Sequence, residues 1–266
     1  MLVSSGTAFF AAVVCGSITT ASVTYRGLRE EAVKSPFFLL AGDSTTAVQA
    51  ENGGGWGDGF LKTTLMNGAS GTNYGHNGAT TASFRSGGDW AKVLAAAKAS
   101  KKTHDPYITI QFGHNDQKPE KNITMAQLTA NLVKYVEEAR AVPATPILVT
   151  SLSRRRFSSS TGKVNENLAD VTAAAKEAAR RSGATLIDLN AASTRYLNAI
   201  GAEKAATYNL QPDDFTHLNK EGSVVFGNLV AMLVDKAVPE LDDYVKPVQE
   251  IAKALEGGKY YFPAGR

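Results

Sequence analysis

Short apolar runs alternate with stretches whose apolar residues recur every three or four positions, from residue 36 to about residue 236. The apolar runs cover residues 37–41, 107–112, 146–151 and 184–189. The helical patterns cover residues 89–100, 124–140, 164–181 and 220–236. This alternation predicts buried parallel strands covered by helices on both faces of one sheet. Because no linker or internal repeat divides the pattern, we expect one α/β domain over residues 34–266.

Sequence signals at the helix ends support this assignment of strands and helices. Thr124 and Gln127 have the spacing of a capping box, in which each side chain bonds the backbone N–H of the other residue. Basic residues followed by Gly183 form a stop signal for the helix predicted over 164–181. We therefore expect these helices to begin and end close to these positions.

Polar segments follow three of the predicted strands. They cover residues 42–46, 113–116 and 151–157. Because ligands of open parallel sheets bind beyond the carboxyl ends of the strands, we expect the three segments to share one edge of the sheet. The residues most suited to chemistry therefore concentrate at one predicted edge.

The first 22 residues differ from the rest of the chain because they contain no Lys, Arg, Asp or Glu. Their apolar core, residues 8–15, has the length of a signal-peptide core and is too short to span a bilayer comfortably. We predict that residues 1–21 are a signal peptide and that the protein is secreted, with no stable membrane association after their removal. The alternatives are an apolar first strand and a short membrane anchor. Cys15 is the single cysteine, so a mature chain without it forms no disulfide.

The composition excludes several classes of protein. A net charge of +3 over 266 residues is too small to indicate nucleic-acid binding. Four histidines, one cysteine and the absence of a CxxC pair argue against a structural zinc site, and we expect no metal or other cofactor. Asn122 begins an Asn-Ile-Thr sequon and is a candidate glycosylation site. We expect the protein to be a monomer.

Two short motifs supply the side chains that acyl transfer by a serine requires. Ser44 lies in Gly-Asp-Ser-Thr directly after the first apolar run, and Asp214 and His217 lie three positions apart far downstream. A serine hydroxyl is a weak nucleophile that needs a base, and the imidazole of His217 suits this role. Asp214 would orient the ring, with Asp213 as the alternative. In isolation, each motif is also typical of a turn or a helix cap.

The same reaction needs hydrogen-bond donors for the negative charge that develops on the carbonyl oxygen. Three candidates are the backbone N–H of Ser44, the backbone N–H of Gly78 and the side-chain amide of Asn115. Gly78 lies in an Asn- and Gly-rich segment, where glycine allows close approach of the backbone to a ligand. Asn115 lies in Gly-His-Asn-Asp, a composition that also suits a simple turn.

Four further residues are candidates for substrate binding. His114 adjoins Asn115 and either contacts the substrate or braces the loop, and we favour bracing. Arg154, Arg155 and Arg156 fall on the predicted active edge, where the arginine fork suits carboxylates. The alternative interpretation of such a charge run is a solvated loop.

Taken in order, these motifs resemble the four sequence blocks of the SGNH (GDSL) hydrolases. The resemblance covers roughly residues 36–230 and rests on Gly42-Asp43-Ser44, Gly78, Gly113-His114-Asn115-Asp116, and Asp214 with His217. Residues 111–116 and the Gly-Trp-Gly-Asp at 55–58 are similar to the rhamnogalacturonan acetylesterase branch. Gly75 competes with Gly78 for the second block, because Asn77 and Gly78 are adjacent.

The resemblance implies a flavodoxin-like three-layer α/β/α sandwich with a central parallel sheet, and ester hydrolysis without metal. It implies Ser44 as nucleophile, Asp214 and His217 as the other triad members, and Gly78 and Asn115 as oxyanion donors. The implied substrate is an acetylated plant cell-wall polysaccharide, most of all rhamnogalacturonan, whose carboxylates a basic edge would attract. The alternatives are another acetylated glycan, a lipid ester, and a catalytically silent carbohydrate-binding protein.

Overall fold

A parallel β-sheet lies at the centre of the protein, whose computed structural model describes residues 34–263. The strands described are β1 (Pro36–Gly42), β2 (Val48–Ala50), β3 (Gly53–Gly54), β4 (Ser70–Asn73), β5 (Asp105–Gln111), β6 (Thr145–Val149), β7 (Thr185–Ile187) and β8 (Leu218–Asn219). Five of them form the parallel sheet in the order β4-β1-β5-β6-β7, and β2, β3 and β8 form a small antiparallel sheet. The predicted signal peptide, residues 1–21, lies outside the described residues.

Helices cover both faces of the parallel sheet. Those described are α1 (Gly57–Thr63), α2 (Thr81–Ser86), α3 (Asp89–Ser100), α4 (Met125–Ala141), α5 (Ala169–Ser182), α6 (Leu189–Ala206), α7 (Lys220–Ala237) and α8 (Gln249–Glu256). Short 3₁₀ helices lie at Pro119–Lys121 and Pro239–Leu241. Among the described helices, none combines the length and the apolarity needed to cross a lipid bilayer.

The alternation of side chains along β1 explains why the molecule has three layers. Phe38 and Leu40 point into a core shared with α1, α6, α7 and α8. Leu39 and Ala41 point into a second core shared with α2, α3, α4 and α5. Each fully buried aliphatic side chain contributes roughly 1.5–3 kcal/mol relative to an exposed one, so a strand with two apolar faces is most stable between two layers of helices. The predicted α/β/α sandwich is confirmed.

The predicted strands and helices are present in the structure, and two differences have a local cause. The helix predicted from residue 164 begins at Ala169, because Val164 instead pairs with Phe157 in a β-bridge and donates its N–H to Asn198 Oδ1. The edge strand β4 was not predicted, since its sequence Ser-Gly-Thr-Asn contains no apolar residue. The capping box of Thr124 and Gln127 is present at the start of α4.

The small antiparallel sheet connects two distant parts of the chain at the carboxyl ends of the parallel strands. Gly53 and Gly54 in β3 pair with Asn219 and Leu218 in β8. Asn219 then caps α7, because its side chain accepts a hydrogen bond from the backbone N–H of Gly222. The segment that follows Ser44 and the segment that carries His217 are therefore joined directly.

Candidate active site

The loop that carries Ser44 is a tight turn at the end of β1. The backbone N–H groups of Thr46 and Ala47 both donate to the carbonyl oxygen of Asp43, at 3.1 and 3.0 Å. The Asp43 side chain reinforces this turn, because its Oδ1 accepts from both the N–H and the hydroxyl of Thr45. Gly55 lies so close to this turn that a Cβ there would approach the Thr45 carbonyl to 2.0 Å. These contacts fix the backbone on both sides of Ser44.

The structure brings Ser44, His217 and Asp214 together in one line of hydrogen bonds. The Nε2 atom of His217 lies 2.9 Å from Ser44 Oγ, and its Nδ1 atom lies 2.8 Å from Asp214 Oδ2. Both distances lie within the range for hydrogen bonds between a nucleophile, its base and the group that orients the base. The alternative orienter, Asp213, is exposed and makes no hydrogen bond or ion pair with the His217 ring within the described residues.

The Asp214 carboxylate is held by the turn that it precedes. Its Oδ1 accepts hydrogen bonds from the backbone N–H groups of Thr216 and His217. Burial raises the pKa of Asp214, but hydrogen bonds from His217 and Thr216 outweigh it, so the pKa lies below the ordinary value of 3.8. Asp214 is therefore ionised at neutral pH, as an orienter of the His217 ring must be.

The candidate oxyanion donors lie in the loops that follow β1, β4 and β5, three neighbouring strands of the parallel sheet. Within the described residues, no acceptor is bonded to the backbone N–H of Ser44 or to that of Gly78. Gly78 has φ 76°, and a Cβ there would meet nothing within 4 Å, so the site requires glycine for its backbone conformation. The competing Gly75 N–H donates to Asn73 Oδ1 and is already satisfied. The Asn115 amide donates one hydrogen to the Ala79 carbonyl, which fixes its orientation and leaves its second hydrogen.

Gln111 is a further residue of the site, which the sequence motifs did not predict. Gln111 is wholly buried at the end of β5, where its Oε1 accepts from Thr46 Oγ1 and Trp56 Nε1, and its Nε2 donates to Thr45 Oγ1. These bonds attach the nucleophile turn to the neighbouring strand. A polar side chain within the otherwise apolar run 107–112 is the signal that could have revealed it.

Arg155 does not lie on the surface, and its prediction as a substrate-binding residue is wrong. The side chain is 1% exposed, its Nε donates to Asn209 Oδ1, and its Nη2 donates to the carbonyl oxygens of His217 (2.6 Å) and Asp214 (3.3 Å). Burial lowers the pKa of Arg155 to about 9, although the charge of Asp214 opposes this shift. Arg155 therefore braces the segment that carries His217.

The other two arginines keep access to solvent. Arg154 is half-buried and donates to Thr216 Oγ1 and Asn167 Oδ1. Arg156 is exposed, and its guanidinium lies 4.7 Å from the centroid of the Phe215 ring. Both side chains therefore flank the segment 214–217 on its solvent side.

His114 is buried against the nucleophile turn, as the bracing interpretation requires. Its Nδ1 lies 3.8 Å from Asp43 Oδ2, and both side chains are almost wholly inaccessible to solvent. Burial, followed by the charge of Arg154, lowers the pKa of His114 to about 3. Burial also raises the pKa of Asp43 to about 6, against the hydrogen bonds from Thr45. His114 is therefore a neutral side chain inside the site, with no surface for a substrate.

The described residues contain no cluster of three or more His, Cys, Asp or Glu side chains that could hold a metal ion. The chemistry available to the described site is that of a hydroxyl, an imidazole, a carboxylate and amide donors. This set is sufficient for acyl transfer through a serine ester.

Comparison with known proteins shows the family of this chain. The model of the GDSL-like lipase/acylhydrolase family matches residues 40–225. The rhamnogalacturonan acetylesterase RhgT of Bacillus subtilis (strain 168) is 30% identical over 222 residues, which cover 78% of this chain and 93% of that protein.

Solved structures share the fold. The Bacillus subtilis protein YXIM aligns with a TM-score of 0.67 and 23% identity. The alignment covers 77% of this chain but only 57% of the YXIM structure. Axe2, an acetylxylan esterase from Geobacillus stearothermophilus, aligns with a TM-score of 0.52 and 18% identity over 77% of this chain and 94% of Axe2. The chain belongs to the GDSL-like lipase/acylhydrolase family and is a carboxylic ester hydrolase.

Proposed function

We propose that this hydrolase removes acetyl groups from rhamnogalacturonan by a Ser44–His217–Asp214 acyl-enzyme mechanism. The observation that carries the mechanism is the 2.9 Å contact between Ser44 Oγ and His217 Nε2. The substrate is proposed because the relative that is 30% identical over most of the chain is a rhamnogalacturonan acetylesterase. We also propose secretion, from residues 1–21, and glycosylation at Asn122, whose side chain is exposed.

In the first step, Ser44 Oγ attacks the carbonyl carbon of the acetyl ester while His217 Nε2 takes its proton. The negative charge on the carbonyl oxygen is stabilised by the N–H groups of Ser44 and Gly78 and by the Asn115 amide. Asp214 stabilises the imidazolium that forms. The C–O bond to the sugar then breaks, and the sugar hydroxyl leaves with the proton from His217.

In the second step, water takes the place of the sugar. His217 removes a proton from the water as its oxygen attacks the acetyl-Ser44 carbonyl, and the same donors stabilise the new oxyanion. Collapse breaks the bond to Ser44 Oγ, which recovers its proton from His217, and acetate leaves. No metal is needed to activate either nucleophile, because His217 serves as the base in both steps.

The test is acetate release from acetylated rhamnogalacturonan, acetylated xylan and a lipid ester, together with labelling by a fluorophosphonate. We expect the native enzyme to release acetate fastest from rhamnogalacturonan and to be labelled once, at Ser44. Ser44→Ala should reduce kcat by a factor on the order of 10⁴–10⁶, because the nucleophile is lost while the fold is kept.

Ser160→Ala, which removes an exposed serine from a nearby loop, is the matched control and should retain native activity and labelling. Turnover by Ser44→Ala close to the native rate would exclude the mechanism. A preference for xylan or the lipid ester would exclude the proposed substrate and leave the mechanism intact.

A further inference from the structure

Two buried polar side chains beside the nucleophile turn have no part in the mechanism described above. Asp43 is wholly buried and His114 is 3% exposed. Asp43 Oδ1 is bonded to Thr45, but its Oδ2 has no partner among the described residues, and neither ring nitrogen of His114 has one with hydrogen-bond geometry. Buried polar atoms are seldom left unpaired in folded proteins, so these atoms need an explanation.

The unpaired atoms face each other. Asp43 Oδ2 and His114 Nδ1 are 3.8 Å apart, which is longer than a hydrogen bond by less than about 1 Å. A neutral imidazole offers one N–H and one lone pair, so a single proton between these atoms satisfies both. The Leu152 carbonyl also lies near the ring, on the side of the β6 loop. Formation of the bond requires the two atoms to approach each other by about 1 Å.

The positions of Asp43 and His114 in the chain indicate which parts of the site their contact connects. Asp43 directly precedes Ser44, and His114 directly precedes Asn115. The loops that carry them follow β1 and β5, which are paired in register up to Gly42 and Gln111. A bond between Asp43 and His114 therefore connects the loop of the nucleophile to the loop of an oxyanion donor.

We propose that Asp43 Oδ2 and His114 Nδ1 share one proton in a hydrogen bond that fixes the separation of Ser44 Oγ from the Asn115 amide. His114 is thus a positioning residue for ester hydrolysis. The inference rests on the roles proposed for Ser44 and Asn115. It differs from simple loop bracing, because it predicts an effect on the transition state for the chemical steps.

The kinetic test compares His114→Phe with His114→Asn on a p-nitrophenyl acetate substrate, with kcat expressed per site labelled by a fluorophosphonate. Phenylalanine keeps an aromatic ring, somewhat larger than imidazole, without a polar atom, whereas the asparagine amide can still donate to Asp43. We expect His114→Phe to lower kcat by about 10- to 100-fold with little change in KM, because a displacement of the order of 1 Å misaligns the donor. We expect His114→Asn to restore most of the lost kcat.

Val234→Ala is the matched control for loss of stability. It removes buried apolar volume in α7, near the end of that helix remote from His217. We expect its Tm to fall while kcat per labelled site stays native. The proposal is overturned if His114→Phe, like Val234→Ala, keeps the native kcat per labelled site. It is also overturned if kcat for His114→Asn is as low as kcat for His114→Phe.

Proton NMR tests the bond in a protein that needs no change at His114. In His217→Gln, which removes the ring bonded to Asp214, we expect one far-downfield imidazole N–H signal to remain. That signal should move upfield in His217→Gln combined with Asp43→Asn, where the charged acceptor is gone. Its absence in His217→Gln would overturn the proposal even if His114→Phe fails to fold. Loss of activity in Ser44→Ala tests the proposed mechanism independently of either result.

Discussion

Asp43 shows how a single residue can serve the site at the expense of stability. Its carboxyl group is wholly buried, and burial raises its pKa to about 6 from an ordinary value of 3.8. In the folded protein the group holds its proton up to about pH 6, whereas the unfolded chain releases it near pH 4. Above pH 4 the native state therefore binds more protons than the unfolded state, and stability falls as the pH rises to about 6.

Replacing the ionisable group of Asp43 should remove this pH-dependent loss of stability. We expect Asp43→Asn to gain stability relative to the native enzyme as the pH rises from 4 to 7, by up to about 3 kcal/mol, because each pKa unit corresponds to about 1.4 kcal/mol. The asparagine keeps an oxygen for the Thr45 hydrogen bonds. Urea unfolding of both proteins at a series of pH values measures the difference.

Thr172→Val is the control for this measurement, because it replaces a buried hydroxyl and no ionisable group. Its stability relative to the native enzyme should not depend on pH over this range. A constant difference between Asp43→Asn and the native enzyme from pH 4 to pH 7 would contradict the expectation.

Residue types with distinctive chemistry could be found from the sequence, whereas the burial of Arg155 could not. Ser44, Asp214 and His217 were selected because short motifs placed a hydroxyl, a carboxylate and an imidazole at the ends of predicted elements. Arg155 was misinterpreted because a run of three arginines carries no sign of which one points inward. Burial depends on the path of the surrounding chain, which no local pattern encodes.

At the scale of elements, Arg155 helps to hold the segment from Asn209 to Asn219 in place. The segment has little regular structure, and its position determines where the His217 ring lies. The Arg155 guanidinium bonds one side chain and two carbonyl oxygens along it. The planar fork can reach all three acceptors together, which an ammonium group cannot.

Arg155→Lys should therefore loosen this segment while keeping the charge. We expect kcat for p-nitrophenyl acetate to fall about 10-fold, equivalent to the loss of one or two hydrogen bonds. Hydrogen–deuterium exchange should increase over residues 209–217. Arg181→Lys, an exposed arginine paired with Glu177 at the carboxyl end of α5, is the control. Hydrogen–deuterium exchange at the native rate over residues 209–217 in Arg155→Lys would refute this role.

The elements that could be predicted are those whose side chains meet the core. The strands β1, β5, β6 and β7 were found because both of their faces are covered, which gives continuous apolar runs. The helix α6 was not predicted, although it is long, and it contains Gly201 in a non-helical conformation. The short edge strand β4 has partly exposed side chains and gives no hydrophobic signal.

At the scale of the whole molecule, a net charge of +3 makes local charge more important than overall charge. Arg154 and Arg156 flank the segment 214–217 on its solvent side. A pectic polymer carries carboxylates, and attraction between exposed charges weakens as salt is added. The proposed polymeric substrate should therefore bind in a salt-dependent way, which a small neutral ester should not.

We expect the double variant Arg154→Ala/Arg156→Ala to raise KM for acetylated rhamnogalacturonan about 3- to 10-fold at low salt. This difference in KM should shrink at about 0.5 M NaCl, because the salt then screens the attraction between exposed charges that are more than about 5 Å apart. KM for p-nitrophenyl acetate should change little. Arg181→Ala, at the opposite edge of the sheet, is the matched control. An unchanged KM for the polymer at low salt would refute the role of these arginines.

Ser44 and His217 are 173 positions apart, and the bond between them forms only after the last third of the polypeptide has joined the sheet. A nascent chain that ends before residue 217 carries the hydroxyl without its base. Under the proposed mechanism, such a chain cannot cleave the esters that it meets during synthesis. The mechanism therefore implies that hydrolytic activity is acquired late, and that any cut that releases the carboxyl-terminal third abolishes it.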